Sequence, residues 1–281
     1  MKHLQSKVRE TMKQFYVITN KTKDKTLEIT EQIKNYIEMN GGVCHLATDG
    51  QDIPQGTECI LVLGGDGTLI RVARELGDHE IPLMGINMGT LGYLTEAEIS
   101  NLKESIDHLM NKETHVEARM MLKGFVNNNI EDVALNDIVL TRSGSLRIIK
   151  FNIYVNGELL NTYHADGVIV STPTGSTAYN LSAGGPIVEP TAKMIVVTPI
   201  CSHALNSSSI VLSADDEIVL EMCEGRDDDV EYATVTFDGE HSVEICTGDR
   251  ILIRKAKETT KLLKLSKVSF LEILRKKMKG N

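Results

Sequence analysis

Along the first hundred residues, apolar positions fall in short runs separated by stretches of helical spacing. Gln14–Thr19 and Val43–Ala47 read as strands, and Leu27–Met39 carries Leu, Ile, Ile, Tyr and Ile at helical intervals before Asn40, Gly41 and Gly42 stop it. Cys59–Leu63 is apolar on both faces, as a strand covered front and back requires, and Ile81–Asn87 follows a helical stretch near Leu69–Leu76. Such alternation predicts a parallel sheet. After about Ser100 the texture changes to a short helical patch, Leu102–Met110, and then to β-rich runs joined by polar turns. Asn156-Gly157 separates Phe151, Ile153 and Val155 from Leu159 and Leu160, the strongest short hairpin signal. Further strands are expected at Asp166–Val170, Met194–Val197, Ile210–Leu212, Glu217–Met222, Val230–Phe237 and Arg250–Ile253, with an exposed turn at Asp227–Asp229. The pattern is α/β followed by β: residues 1–100, residues 101–257, and a C-terminal segment 258–281.

Composition narrows the class. With 281 residues, 41% hydrophobic and 25% charged, the chain sits in the ordinary globular band. No apolar run approaches the roughly 20 residues of a membrane span, and Met1–Glu10 lacks the apolar middle of an export signal. Cys44, Cys59, Cys201, Cys223 and Cys246 are odd in number and form no CxxC pair, so neither a disulfide framework nor a zinc site is expected, and a reducing cytoplasm fits. The net charge is −9, but residues 254–281 hold ten Lys or Arg against two Glu, a local +8 that leaves −17 on the rest. Phe270, Leu271, Ile273 and Leu274 interleave with Arg275, Lys276 and Lys277, as in an amphipathic helix with a cationic C-terminus. An acidic body repels duplex phosphates, so no nucleic-acid partner is expected.

Two segments carry candidate chemistry. Gly64-Gly65-Asp66-Gly67-Thr68 lies between the buried strand and the next helix, where α/β sheets bind ligands. Its glycines let backbone N–H groups approach an anion, and the helix N-terminus adds partial positive charge. The same residues also suit a plain tight turn capped by Asp66 or Thr68. No Gly-Lys-Ser/Thr follows and no lysine lies in the loop, so this is neither a dinucleotide fingerprint nor a P-loop, and a phosphate there must be met by amides, Mg²⁺ or distant cations. A carboxylate among such glycines is costly beside phosphate unless it binds a metal or takes a proton from a hydroxyl nucleophile. The second segment runs from Asp166 through Ser171, Thr172, Thr174, Ser176, Thr177 and Tyr179 to Gly184-Gly185-Pro186. Its hydroxyls suit ribose oxygens and purine edges, with Tyr179 as a flat surface for a base; a polar connector has the same composition. Asn136 and Asp137, a polar pair in an apolar setting, either turn a corner or face a ligand.

Together, Gly64–Thr68, Asn87–Leu94, Glu117–Leu122, Asn136-Asp137, Asp166–Tyr179 with Ser182–Pro186, and Phe237-Asp238-Gly239 resemble the NAD kinase family over most of the chain. Gly-Gly-Asp-Gly-Thr alone also occurs in diacylglycerol and sphingosine kinases; the Asp166–Pro186 segment is the more specific. The resemblance implies a Rossmann-like three-layer N-terminal domain and a β-sandwich-like second domain, with the active crevice between the two halves. It implies phosphoryl transfer from ATP or polyphosphate, with Mg²⁺, to the adenosine-ribose 2′-hydroxyl of NAD. Carried over by position, Asp66 would activate that hydroxyl and Gly64, Gly65, Gly67 and Thr68 would hold donor phosphates. Asn136 and Asp137 would contact the NAD adenosine, and Asp166 the nicotinamide side or a neighbouring adenine. Thr174, Thr177, Ala178, Tyr179 and Ser182 would form the adenine loop, and Tyr93 would pack on bound nucleotide. No residue is assigned as a metal ligand, and a homodimer or homotetramer is implied. Two departures stand out: Asp137 where Glu is usual, and Ser202 within Cys201-Ser202-His203 where Pro is usual. The alternatives are a lipid kinase sharing the glycine loop and a non-catalytic NAD(P) sensor.

Overall fold

The computed structural model describes residues 11–89, 92–144, 147–203, 208–225, 229–265 and 268–279. Asp227 and Asp228, within the expected turn, lie outside the described residues, as do residues 1–10. The chain divides into two compact units, one of residues up to Glu117 together with those from Lys261 onward, the other Ala118–Thr260.

The first unit opens with β1 (Gln14–Thr19), α1 (Glu28–Met39), β2 (Val43–Ala47), β3 (Cys59–Gly64), α2 (Asp66–Glu75) and β4 (Leu83–Asn87), followed by β5 (Thr95–Glu98) and α3 (Leu102–Met110). The strands pair in parallel in the order β4-β3-β1-β2, with β5 parallel to β4. Side chains alternate across a strand, and the sheet is covered on both faces. Phe15, Val17, Leu61, Leu63, Met84 and Ile86 pack with Ile33 and Ile37 of α1 and Ile106 and Leu109 of α3. On the opposite parity Gly85 leaves room for α2: a Cβ there would stand 2.8 Å from Leu69 Cδ1. Helix α2 begins at Asp66 rather than near Leu69, with Gly65 as its extended N-cap. Gly is acceptable at that position, and Gly67 falls in the first turn, where its weak helix propensity matters least.

The second unit contains most of β6 (His115–Val126), then β7 (Ile130–Ala134), β8 (Asp137–Arg142), β9 (Ile149–Val155), β10 (Glu158–Ala165), β11 (Gly167–Ser171), the short α4 (Tyr179–Ser182), β12 (Met194–Ile200), β13 (Ile210–Ser213), β14 (Ile218–Met222), β15 (Tyr232–Phe237), β16 (His241–Cys246) and most of β17 (Arg250–Lys264). One antiparallel sheet runs β13-β12-β11-β8-β15-β16. The other runs β10-β9-β14-β17, with β6 pairing β17 and β7. Leu140, Val168, Val170, Val197 and Phe237 of the first sheet meet Phe151, Ile153, Leu220, Ile251 and Ile253 of the second in one core, a β-sandwich. The β9–β10 hairpin turns at Asn156 (φ 51°) and Gly157 (φ 83°), both left-handed as the Asn-Gly signal requires.

Strands β5, β6, β7 and β16 and most of β17 are absent from the sequence expectations. Strand β6 carries Glu, Ala, Met, Leu and Lys, all good helix formers, and β17 continues through Arg254-Lys255-Ala256-Lys257-Glu258, which looks like solvent-exposed coil. Residues 261–264 of β17 belong to the first unit, where Leu262 pairs with Leu83 in parallel register. There Lys264 and Glu96 form an ion pair at 2.9 Å with side chains 8% and 5% exposed. Helix α5 (Phe270–Met278) follows, capped by Ser269 Oγ accepting from the Glu272 N–H and ending in Arg275, Lys276 and Lys277, as the helix dipole favours.

Candidate active site

In the first unit, chemistry gathers at the carboxyl ends of β1, β3 and β4. Gly64 ends β3, and a Cβ on it would stand 2.3 Å from Thr68 Oγ1, so only glycine lets the chain turn back onto its own helix. The first N–H groups of α2 have no side-chain cap, which leaves donors and the positive end of the helix dipole facing outward. Thr68 is buried, its hydroxyl accepting from Asn20 Nδ2 at 3.0 Å. No Cβ contact would restrict Gly67 within 4 Å.

Asp66 is the first residue of α2, and its carboxylate is already engaged. Oδ2 accepts from the Tyr93 N–H at 2.7 Å, and Oδ1 from Leu94 N–H at 3.1 Å and Thr95 N–H at 3.3 Å. Of about four acceptor positions on a carboxylate, one remains. Gly92 makes this possible: a Cβ there would stand 2.0 Å from Oδ1. These amides meet the charge that seemed costly from sequence. Burial and then the Asp66 charge push the Tyr93 phenol up, and Lys277 of α5 lies 4.1 Å from its ring centroid.

The second unit sorts the hydroxyl-rich loop into two sets. Ser171 donates to Thr172 and Asn136 carbonyls, Thr172 Oγ1 donates to the Leu135 carbonyl and accepts from Gly175 N–H, and Ser176 bonds both Pro173 and Val188. All three are fully buried and hold the loop's own backbone. Asn180, 0% exposed, ties Ser176, Pro186 and Thr198 together, and a Cβ on Gly185 would strike its Oδ1. Outside this frame lie Ala178, exposed Ser182, Tyr179 at 45% exposed, and half-buried Thr177, whose hydroxyl reaches the Thr174 carbonyl at 3.5 Å. Thr174 is buried, at 3.5 Å from Arg119 Nη1.

Asn136 and Asp137 sit at the start of β8, beside this loop. A Cβ on Gly175 would overlap the Asn136 carbonyl at 2.2 Å, so the two segments meet backbone to backbone. Asp238, in the β15–β16 turn, accepts N–H bonds from Leu135, Asn136 and Asp137 at 2.8, 2.7 and 3.1 Å. Asp137 is 5% exposed, and burial and then the Asp238 charge push its carboxyl up to about 7. Asp166 accepts from Arg142 Nε at 2.8 Å in a partly exposed ion pair. Asp238, Arg119, Arg142 and Asn180 carry no role in the sequence expectations. Arg119 and Asp238 lie within Glu117–Leu122 and Phe237-Asp238-Gly239, which carry the family resemblance, and an Asp-Gly turn signal also marks Asp238; Arg142 and Asn180 have no such signal.

The N-terminal part matches the model of the ATP-NAD kinase N-terminal domain over residues 2–114, and the C-terminal part that of the ATP-NAD kinase C-terminal domain over residues 135–265. Curated relatives agree. One, the NAD kinase of Agathobacter rectalis, is 51% identical over 96% of this chain and 99% of that protein. The chain belongs to the NAD kinase family. The NAD kinase of Lachnospira eligens is 46% identical over 95% of this chain and all of that protein. A crystal structure of an NAD kinase from Archaeoglobus fulgidus in complex with ATP matches with TM-score 0.80 and 26% identity, covering 95% of this chain and 98% of that one. Yeast NADH kinase complexed with NADH, at 24% identity and TM-score 0.81 over 96% of this chain and 89% of that one, shares the fold. The parallel sheet and β-sandwich described above are thus the two parts of the NAD kinase fold.

Proposed function

We propose that this NAD kinase moves the γ-phosphoryl group of ATP to the 2′-hydroxyl of the adenosine ribose of NAD, giving NADP. The bond from the γ-phosphorus to the bridging oxygen breaks and ADP leaves with its electron pair. The ribose oxygen bonds to phosphorus, and its proton goes to Asp66 at the remaining acceptor position. Gly64, Gly65, Gly67, Thr68 and the uncapped N–H groups of α2 hold the donor's phosphates. Asn136 and Asp137 receive the adenosine. Neither side chain makes a hydrogen bond among the described residues. Thr174, Thr177, Ala178, Tyr179 and Ser182 line the adenine, Asp166 stands toward the nicotinamide or a second adenine, and Tyr93 packs on nucleotide.

A divalent ion such as Mg²⁺, when bound, offsets charge on the phosphoryl oxygens. The described residues contain no group of three or more His, Cys, Asp or Glu that could hold a metal. We read the ion as one held mainly by substrate phosphates and waters, as Mg²⁺ is. Among the described residues no helix is long and apolar enough to cross a membrane, and all five cysteines are free. We expect a homodimer or homotetramer in a reducing cytoplasm, which sedimentation of the purified chain and fractionation of cells would read.

The observation that carries the reading is a carboxylate fixed at the amino end of α2 with one acceptor position left. Replacing Asp66 by Asn should lower NADP turnover by about 10²- to 10⁴-fold while NAD still binds. Asn also sets an N–H₂ against a backbone N–H, so amide exchange at residues 93–95 should be followed alongside. Turnover near that of the unaltered chain would refute the base. Residual turnover that climbs with hydroxide concentration is the signature of a lost base rather than a loosened turn.

A further inference from the structure

The strand order contains a point where connections diverge. From β1 the chain runs through α1 to β2 on one side, and from β3 through α2 to β4 on the other. Crevices that take ligands in α/β sheets lie outside the carboxyl ends of two such strands. Here those ends carry the segment after Thr19 and the glycine loop after Leu63. The two are fastened together: Asn20 N–H donates to the Leu63 carbonyl at 3.0 Å, and Asn20 Nδ2 donates to Thr68 Oγ1 at 3.0 Å. Asn20 Oδ1 in turn accepts from Thr22 N–H and Oγ1, and Lys23 N–H closes a turn on the Asn20 carbonyl.

That turn carries the Lys23 side chain over the glycine loop. Its Nζ stands 3.0 Å from the point where a side chain on Gly65 would begin, and 3.9 Å from the same point on Gly89 after β4. Lys23 is exposed, and among the described residues no carboxylate pairs with it. Its neighbour Asp24 faces the other way, buried and held by Thr30 N–H at 2.9 Å and Thr30 Oγ1 at 2.6 Å. Gly65 and Gly89 leave open the space that the ammonium overlooks. Backbone amides and a helix dipole supply only partial charges, whereas a tri- or diphosphate carries several full ones.

We infer that Lys23 is the cation that binds the donor's phosphate oxygens above Gly65, doing from the first strand–helix loop what a P-loop lysine does from within its own loop. The inference rests on the phosphoryl-transfer reading and adds to it a residue outside the glycine motif. Lys23 is a binding residue; the proton still goes to Asp66.

The test uses the full chain with Lys23→Met, Lys23→Arg, and Lys21→Met and Lys25→Met as controls on the same loop. NADP formation is measured with ATP and NAD varied separately, and binding of inorganic tripolyphosphate by calorimetry. One charge-assisted hydrogen bond sets the scale, so Lys23→Met should lose about 10- to 100-fold in kcat/KM for ATP and in tripolyphosphate affinity. KM for NAD should stay within about twofold, Lys23→Arg should recover most of the loss, and the controls should differ little from the unaltered chain, as charge placed away from the phosphate predicts. Lys23 is exposed and, among the described residues, pairs with no carboxylate, so thermal unfolding of the variants should not move. Unchanged ATP parameters and tripolyphosphate affinity in Lys23→Met, or equal losses in both controls, would overturn the inference. If the unaltered chain makes no NADP, the phosphoryl-transfer reading fails, while tripolyphosphate binding still decides whether Lys23 is the phosphate cation.

Discussion

Asp137 offers the sharpest quantitative test. It is buried next to Asp238, whose carboxylate is committed to three backbone N–H groups, and burial and that charge raise Asp137 from an ordinary value of 3.8 to about 7. A carboxyl raised on folding contributes its full stability below the unfolded pKa and loses it as pH climbs through the folded one. Between about pH 4 and pH 7 the unfolded chain therefore releases a proton that the folded chain retains. At 1.36 kcal/mol per pH unit the accumulated cost is about 1.5 kcal/mol at pH 5 and about 4 kcal/mol at pH 8. Asp137→Asn replaces the acid by a neutral group of the same shape and removes that dependence. Urea unfolding followed by circular dichroism at pH 5, 6, 7 and 8 should show the variant gaining on the unaltered chain by about 2.5 kcal/mol across the interval. A difference between the two proteins that stays constant from pH 5 to pH 8 would refute the buried neutral acid.

Gly92→Ala should displace the Asp66 carboxylate, because the new methyl would stand 2.0 Å from Oδ1. We expect NADP formation to fall at least about 100-fold with the circular dichroism spectrum retained; an active variant would show that the three amide bonds do not matter. Lys264→Met should cost about 3–5 kcal/mol in unfolding by leaving Glu96 buried without its cation, and adding Glu96→Gln should recover much of it. Asn180→Ala removes the bonds to Ser176, Pro186 and Thr198, and should cost about 2–4 kcal/mol and weaken NAD binding measured by calorimetry; unchanged NAD affinity would uncouple that frame from the nucleotide.

The apolar pattern reveals β1, α1, β2, β3 and α3 nearly to the residue, and the turn of the β9–β10 hairpin but not the outer ends of its strands, because each has an unmistakable period or turn pair. It misses β5, β7 and β16, and also β6 and most of β17, where partners distant in sequence override helix-forming or charged residues. At the candidate site the glycine loop and the hydroxyl-rich loop stand out by composition. Which hydroxyls are structural does not, since Ser171 and Thr177 differ only in what surrounds them. Lys23 was invisible for a similar reason: it precedes the glycine loop by some forty positions in sequence, and parallel pairing of β1 with β3 is what brings the loops together.

The pairing of Leu262 with Leu83 bears on how the chain is made. On the ribosome, β4 emerges early and β5 soon pairs with it at Gly85–Asn87, but Leu83 waits without its partner while the whole β-sandwich is synthesised. Glu96 waits with it, its lysine still to come. The sandwich, whose residues are contiguous, can mature during translation, whereas the first unit gains residues 261–264 only after the sandwich has been synthesised. An uncovered strand edge is where chains pair wrongly with one another. Nascent chains of this protein should therefore depend on holding factors until Leu262 and Lys264 leave the exit tunnel.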